Sequence, residues 1–244
     1  DNLYYDLKKT YIKEMDDLTV KDRIRTGTLL INDALRRFML GKTNFNAERF
    51  EIMKLQLKHD IYQKEEGWLS REQYFNYVHT SISLGELEWA EKFTLDNTAK
   101  LAPDIRKHAS SYAKGMLCFH KKEYDSALKE LAGIKGGDYH YFVMIKSLST
   151  KIYYEMGDYE KVLSVIDSFK HYISSNLLIP EPMRKRYINY TRIMNKLTLL
   201  KYGNDEFDIL KLIKEIEDLS TNELTTSKGW LLNKAIDLKD SAHL

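Results

Sequence analysis

The stretch KIYYEMGDYEKVLSVIDSFKHYI, Lys151–Ile173, decides the fold class. Its apolar residues recur at helical spacing on both sides of Gly157-Asp158. Gly157 suits a helix end, because a backbone without a Cβ adopts the left-handed state at no steric cost. Tyr159 follows as a bulky plug between the two helices. Val162, three residues on, is slim enough for the helix backbones to approach. Ile166 and Phe169 then continue the buried stripe of the second helix. The segment therefore reads as a helical hairpin with two apolar faces.

The same template stands twice upstream. Ser83–Ala90 reads SLGELEWA and His120–Leu128 reads HKKEYDSAL. With Ala90, Ala127 and Val162 taken as equivalent, the steps are 37 and 35 residues. Leu87 and Tyr124 fill the place of Tyr159. Gly115 offers the close approach from a first helix, and Leu131 and Ile134 extend the stripe after Ala127. Two departures stand out. Glu123 takes the place of the turn glycine in the second pair, and Thr94 and Asn97 replace apolar residues in the first.

Outward from these pairs the period stays helical. Leu3, Leu7, Tyr11 and Met15 recur at four-residue steps. Ile24, Leu30, Ile31, Ala34, Leu35 and Phe38 make a second amphipathic helix ended by Gly41. Asn44 or Asn46 caps a third, which carries Phe50, Met53, Leu57 and Ile61. Gly67-Trp68-Leu69 is a loop. Ser70 with Gln73 fits a capping box, the hydroxyl and the amide each satisfying the other's free backbone N–H. Further helices are predicted near 70–84, 86–100, 104–121, 123–134, 138–156, 158–175, 181–202, 205–219 and 226–240. Pro103 and Pro182 stand near helix starts, where a missing N–H costs nothing. Ile134–Asp138 reads as a helix C-cap followed by an Asp138 N-cap, and Ser174–Pro182 is the weakest joint. A dozen helices with connections of a few residues force neighbours to run antiparallel.

Composition agrees. Gly 11 and Pro 3 in 244 residues are too few for the turns of an all-β chain, and 43% hydrophobic content excludes wholesale disorder. Lys plus Arg is 38 against 36 Asp plus Glu, a net charge of +2, which argues against a dedicated nucleic-acid binder. No run of about 18 apolar residues exists, so no membrane span is expected. The one cysteine, Cys118, excludes an internal disulfide framework and points to a reducing compartment. The chain opens on Asp1 without a Met, as a fragment, a chain lacking its first residues or one with a removed signal peptide would.

Through Lys122–Leu128, Lys151–Ile173 and the WLL of Trp230–Leu232, the chain resembles tetratricopeptide-repeat (TPR) proteins. It is similar in particular to uncharacterised bacterial helical-repeat proteins. The TPR period is roughly 34 residues. The motif match covers about 70–175, with looser similarity over 20–240. The resemblance implies an all-α right-handed superhelix of about twelve antiparallel helices, and so one helical-repeat domain over 1–244. Within it, 1–69 holds degenerate N-terminal helices, 70–175 the TPR-like pairs, and 176–244 degenerate C-terminal helices and a cap built on Trp230, Leu231, Leu232 and Ile236. A bacterial cytoplasmic location follows from the same resemblance and the lone cysteine.

The resemblance also implies a concave groove, lined by first helices, that takes a protein or peptide partner. Carried over, its positions are Phe75, His79 and Ile82, then Tyr112, Met116, Phe119 and His120, then Ser147, Lys151 and Tyr154. Aromatic residues, Met and a few charges suit an interface; the same residues also suit packing against a neighbouring helix. Replacing Tyr112 and Tyr154 together by Ala is expected to remove partner binding and leave helicity intact. The chaperone-type clamp for a C-terminal carboxylate needs an Asn at matched first-helix positions, where this chain has His79, Met116 and Lys151.

A second candidate is a basic helix over 184–201. Arg184, Lys185, Arg186, Arg192 and Lys196 are interleaved with Tyr187 and Tyr190, a pattern that can track a phosphate backbone or an anionic membrane surface. The alternative is internal neutralisation by the helix that follows, which carries Asp205, Glu206, Asp208, Glu215, Glu217 and Asp218. Enzyme signals are weak. None of the seven histidines forms a His-x-x-x-His pair, so no metal site is expected. Cys118 and His120 point to different sides of a helix, and an inert thiol is expected. Gly136-Gly137 lacks the spacing and preceding strand of a phosphate-binding loop. The chain is thus expected to be non-catalytic, without cofactor, and to work by binding protein.

Overall fold

The computed structural model describes residues 1–61, 68–136, 138–203, 206–219 and 225–242. They form twelve α-helices and no strand; the single β-type contact is an isolated bridge between Leu69 and Leu101. Of the residues singled out above, Gly67, Gly137 and Asp205 lie outside the described residues, as does the side chain of Glu206. No described helix is long and apolar enough to cross a membrane.

The chain divides into two compact units, Asp1–Glu123 and Tyr124–Leu244. The first holds α1 (Asn2–Glu14), α2 (Val20–Met39), α3 (Phe45–Lys58), α4 (Arg71–Ser83), α5 (Leu87–Asn97) and α6 (Pro103–His120). In it α2 packs on α3, and α4, α5 and α6 pack on one another. The second holds α7 (Tyr124–Ala132), α8 (Tyr139–Glu155), α9 (Tyr159–Ser175), α10 (Glu181–Gly203), α11 (Glu206–Glu217) and α12 (Lys228–Ala242). There each of α8 to α12 packs on the next, and α12 also meets α10.

Local chemistry sets these ends. Ser70 Oγ accepts the Gln73 N–H at 3.2 Å while Gln73 Oε1 accepts the Ser70 N–H at 3.3 Å, so the expected capping box closes. Asp138 accepts from the backbone of His140 and Tyr141 at the start of α8. Pro103 opens α6. At the start of α3 the expected side-chain cap is absent: Asn44 caps without a side-chain bond, and Asn46, inside the helix, donates to Ser83 Oγ at 2.8 Å.

The turns that end α4, α6 and α8 share one geometry. Gly85, Lys122 and Gly157 have φ of 80°, 63° and 77°. The residue after each donates its N–H five residues back, Glu86 to Ser81, Glu123 to Cys118 and Asp158 to Tyr153, at 2.8–3.0 Å. This is the Schellman arrangement, which satisfies carbonyls that the helix leaves orphaned. The expectation that Glu123 stands in the turn glycine's place is corrected: Lys122 does, and a long side chain is held in left-handed backbone there.

Behind the turns, Ala90, Ala127 and Val162 are fully buried, as are Ile166 and Phe169. Thr94 and Asn97 are buried too, and each is satisfied within its own helix. Thr94 Oγ1 donates to the Ala90 carbonyl at 2.8 Å and Asn97 Nδ2 to that of Phe93 at 3.1 Å. Polar residues can thus occupy an apolar stripe without an orphaned group.

Two stripe assignments change. In α1 the buried residues are Tyr4 and Tyr11, with Met15 just beyond, while Leu3 is 81% and Leu7 41% exposed. The buried arc of α1 follows Tyr4 and Tyr11, seven residues apart, rather than the four-residue steps, which drift round the helix. In α12, Leu231, Ala235 and Leu238 are buried, Trp230 and Leu232 are half-buried, and Ile236 faces outward.

Candidate functional site

The aromatic groove positions lie at the floor of their packing layers. In the first unit, Phe75 of α4 meets Tyr112 of α6 edge to face, with ring centroids 5.3 Å apart. Phe75, Tyr112 and Phe119 are 6–7% exposed and Met116 is 3%. His79, one turn beyond Phe75, and His120 reach the surface. Tyr112, Met116 and Phe119 share a face of α6 by their spacing, so the structure brings them together with Phe75.

In the second unit, Tyr154 is buried between Tyr159 and Trp230, each edge to face at 5.5 Å. The Trp230 indole N–H donates to Glu155 Oε1 at 3.0 Å, and Lys234 Nζ sits 3.1 Å from the same oxygen. Thus α12 lies over the end of α8. Lys151, one turn earlier, is half-buried. Burial pushes its ammonium down to about 8, against a smaller upward pull from Glu155. Ser147 offers no open surface: it is buried, and its carbonyl accepts the Tyr190 hydroxyl at 2.9 Å.

The basic helix is α10, and its charges are committed. Arg184 donates to the carbonyls of Ile173, Asn176 and Ile179, the last two at 3.0 and 3.2 Å. It therefore ties down the end of α9, which the sequence marks as the weakest joint. Arg192 and Lys196 both pair with Glu215 of α11, Lys196 at 2.7 Å. Lys185 lies 4.0 Å from Glu181, and Arg186 is exposed. The interleaved rings turn inward. Tyr190 is fully buried, and Tyr187 packs on Phe169 with its phenol pushed up to about 12 by burial. Of the two readings of this helix, neutralisation by α11 is the one the geometry realises for Arg192 and Lys196.

One feature of the first unit escaped the sequence. A pocket of about 150 Å³ opens between α2, α3 and α4. Arg49 and Gln56 of α3, Asn32 of α2, and Gln73, Asn76 and Tyr77 of α4 line it. Arg49 is 9% exposed, and its Nε is buried without a hydrogen-bond acceptor. No Asp or Glu lines the pocket among the described residues. Burial alone acts on the guanidinium, holding its pKa below the usual value. Beside the pocket, Gly27 of α2 leaves room for the Gln56 amide: a Cβ there would fall 2.2 Å from Gln56 Nε2 and displace that side chain. The pattern does carry a trace of the site: Arg49 and Gln56 sit on the same buried face of α3 as Phe45 and Ile52.

Among the described residues, no group of three or more His, Cys, Asp or Glu lies together as metal ligands would. No family model, curated protein or solved structure matches the chain.

Proposed function

We propose that the chain is a TPR-like array of helix hairpins, stacked as a right-handed solenoid, that serves as a non-catalytic module for protein–protein contact. The observation that carries this reading is the recurrence of one turn. Left-handed residues at Gly85, Lys122 and Gly157 stand 37 and 35 residues apart, each followed five residues later by a fully buried small or slim side chain. A hairpin with two apolar faces buries both only by stacking on others, and such arrays present extended surfaces to partners.

The partner is a peptide or helix lying along the first helices. In the first unit the partner meets the exposed tip of His79 or, in the second, the half-buried Lys151, with the aromatic residues of that unit forming the floor beneath rather than reaching out to grip. Extended or helical segments are the natural occupants of such surfaces. The alternative, nucleic-acid binding through the basic helix, has less support, because Arg184, Arg192 and Lys196 already meet carbonyls or Glu215 and leave Lys185 and Arg186, both exposed, from the predicted patch.

Selection of a displayed peptide library on the whole chain tests the proposal. Peptides should enrich, and should lose at least about tenfold in affinity in the His79→Ala or the Lys151→Gln variant, according to the unit that binds them. Circular dichroism should be unchanged in either variant. No enrichment, or enrichment indifferent to both substitutions, overturns it.

A further inference from the structure

We infer that the pocket around Arg49 is a binding site for a single carboxylate carried on a short carbon chain. This goes beyond the interaction-module reading and does not depend on it.

The starting point is a charge without a counter-charge. A guanidinium carries five N–H donors in a fixed plane and has no route to neutrality near pH 7. Withdrawn from water, it needs acceptors, and buried charges are normally paired for this reason. Arg49 is nine-tenths buried, its Nε meets no acceptor, and among the described residues no acid lines its pocket. The charge is therefore met from the pocket, by water or by an anion that displaces it.

The rest of the lining defines what enters. Asn32 and Asn76 bring neutral amides to the rim. Gln73 has already committed its oxygen to the Ser70 cap, so its amide offers N–H groups. These side chains can hydrogen-bond an anion without adding charge, leaving one positive charge for one negative charge. Phosphate carries roughly one and a half to two at neutral pH, whereas a carboxylate carries one and matches the planar fork through two parallel bonds. Ile31 and Met53 add apolar wall. A volume near 150 Å³ holds about the bulk of benzene, so a carboxylate with three or four carbons fits. The site lies between α2, α3 and α4, and its α4 residues, Gln73, Asn76 and Tyr77, are on a different face of that helix from the groove positions Phe75 and His79.

The test uses the whole chain labelled with ¹⁵N-arginine, titrated with butyrate, butyramide, inorganic phosphate and chloride at equal ionic strength and pH 7. Butyrate should shift the Arg49 Nε–H resonance saturably and raise the melting temperature, while butyramide and chloride should do neither. Arg49→Gln should weaken butyrate binding by at least about tenfold, the scale of a lost charge-assisted hydrogen bond. Arg49→Lys, which keeps the charge and loses the fork, should weaken it by less. Melting each variant without ligand shows that it is folded. Acetyl-Gly-Glu-Gly-amide and its Gln counterpart separate the sources. Tighter binding of the Glu peptide identifies a peptide-borne acid and tighter binding of butyrate a free one, and either sustains the carboxylate assignment. Phosphate binding more tightly than every carboxylate overturns it. So does the absence of carboxylate binding, or binding that Arg49→Gln leaves unchanged.

Discussion

Arg49 in the first unit and Arg184 in the second are both drawn largely out of water, and they solve the problem in opposite ways. Arg184 spreads its guanidinium over the backbone carbonyls of Ile173, Ser174, Asn176 and Ile179 at and beyond the end of α9, with the Glu181 carboxylate 3.5 Å away. It closes a chain turn, and its charge is absorbed where helix dipoles are negative. Arg49 reaches no such partner and faces a polar pocket instead. Lys151 is a third case. An ammonium can release its proton, and burial has brought that release down to about pH 8. Arginine lacks this escape. The difference separates a buried cation that builds the fold from one whose partner lies outside it.

Arg184→Ala should break the satisfied case and have the largest effect. It removes charge-assisted bonds to several carbonyls at once, each worth about 1.5–3 kcal/mol but not additive. A loss of about 2–4 kcal/mol in stability is expected, read as a lower urea midpoint. Arg184→Lys should recover only part, because a point charge cannot span the four carbonyls that the guanidinium reaches. A neutral result for Arg184→Ala would remove the contrast with Arg49.

Arg49→Met should act with the opposite sign. Exchanging an unpaired buried charge for an apolar side chain of similar length relieves its desolvation cost. A gain of about 1–3 kcal/mol in the unliganded chain is expected from thermal or urea unfolding. A comparable loss would mean that Arg49 holds the first unit together, and its contrast with Arg184 would disappear.

The two arginines also mark what the sequence reveals and what it hides. Helix ends were legible wherever the chemistry is local: Ser70 with Gln73, Asp138 before α8, Pro103 at the start of α6, Gly157 after α8. The seam residues Ala90, Ala127 and Val162 were legible because three copies of one turn place them in register. Lys122 is not, since nothing in a lysine announces left-handed backbone, and the sequence template puts its neighbour Glu123 at the turn. Arg184 looked like part of a phosphate-binding face because its partners are backbone carbonyls, which have no letter in the sequence. Tyr112 and Tyr154 have the residue type of interface anchors, yet both are buried. Ala at either should cost about 3–5 kcal/mol of packing, so the double variant would disturb the fold before it reported on binding. Arg49 was the hardest to see. A lone charge on an apolar helix face becomes informative only when three helices are known to leave it unpaired.

Lys151 gives the smallest effect and sharpens the comparison through pH. Its folded-state pKa of about 8 lies below the ordinary lysine value of 10.5. Between those limits the unfolded chain holds more protons than the folded one, so stability rises with pH across that interval. Burial pushes the phenols of Tyr154 and Tyr190 above their usual value of 10.0. The unfolded chain then loses those protons first, and stability falls once pH passes about 10. The two slopes together predict a shallow maximum between about pH 9 and 10. Lys151 keeps some contact with water, so the rise should be below about 1 kcal/mol. Urea midpoints from pH 7.5 to 10.5 read it directly, and Lys151→Met should flatten the rising limb while leaving the fall in place. A rise that persists in Lys151→Met belongs to another group, and Lys151 would then join Arg184 as a cation that the fold satisfies in its charged form.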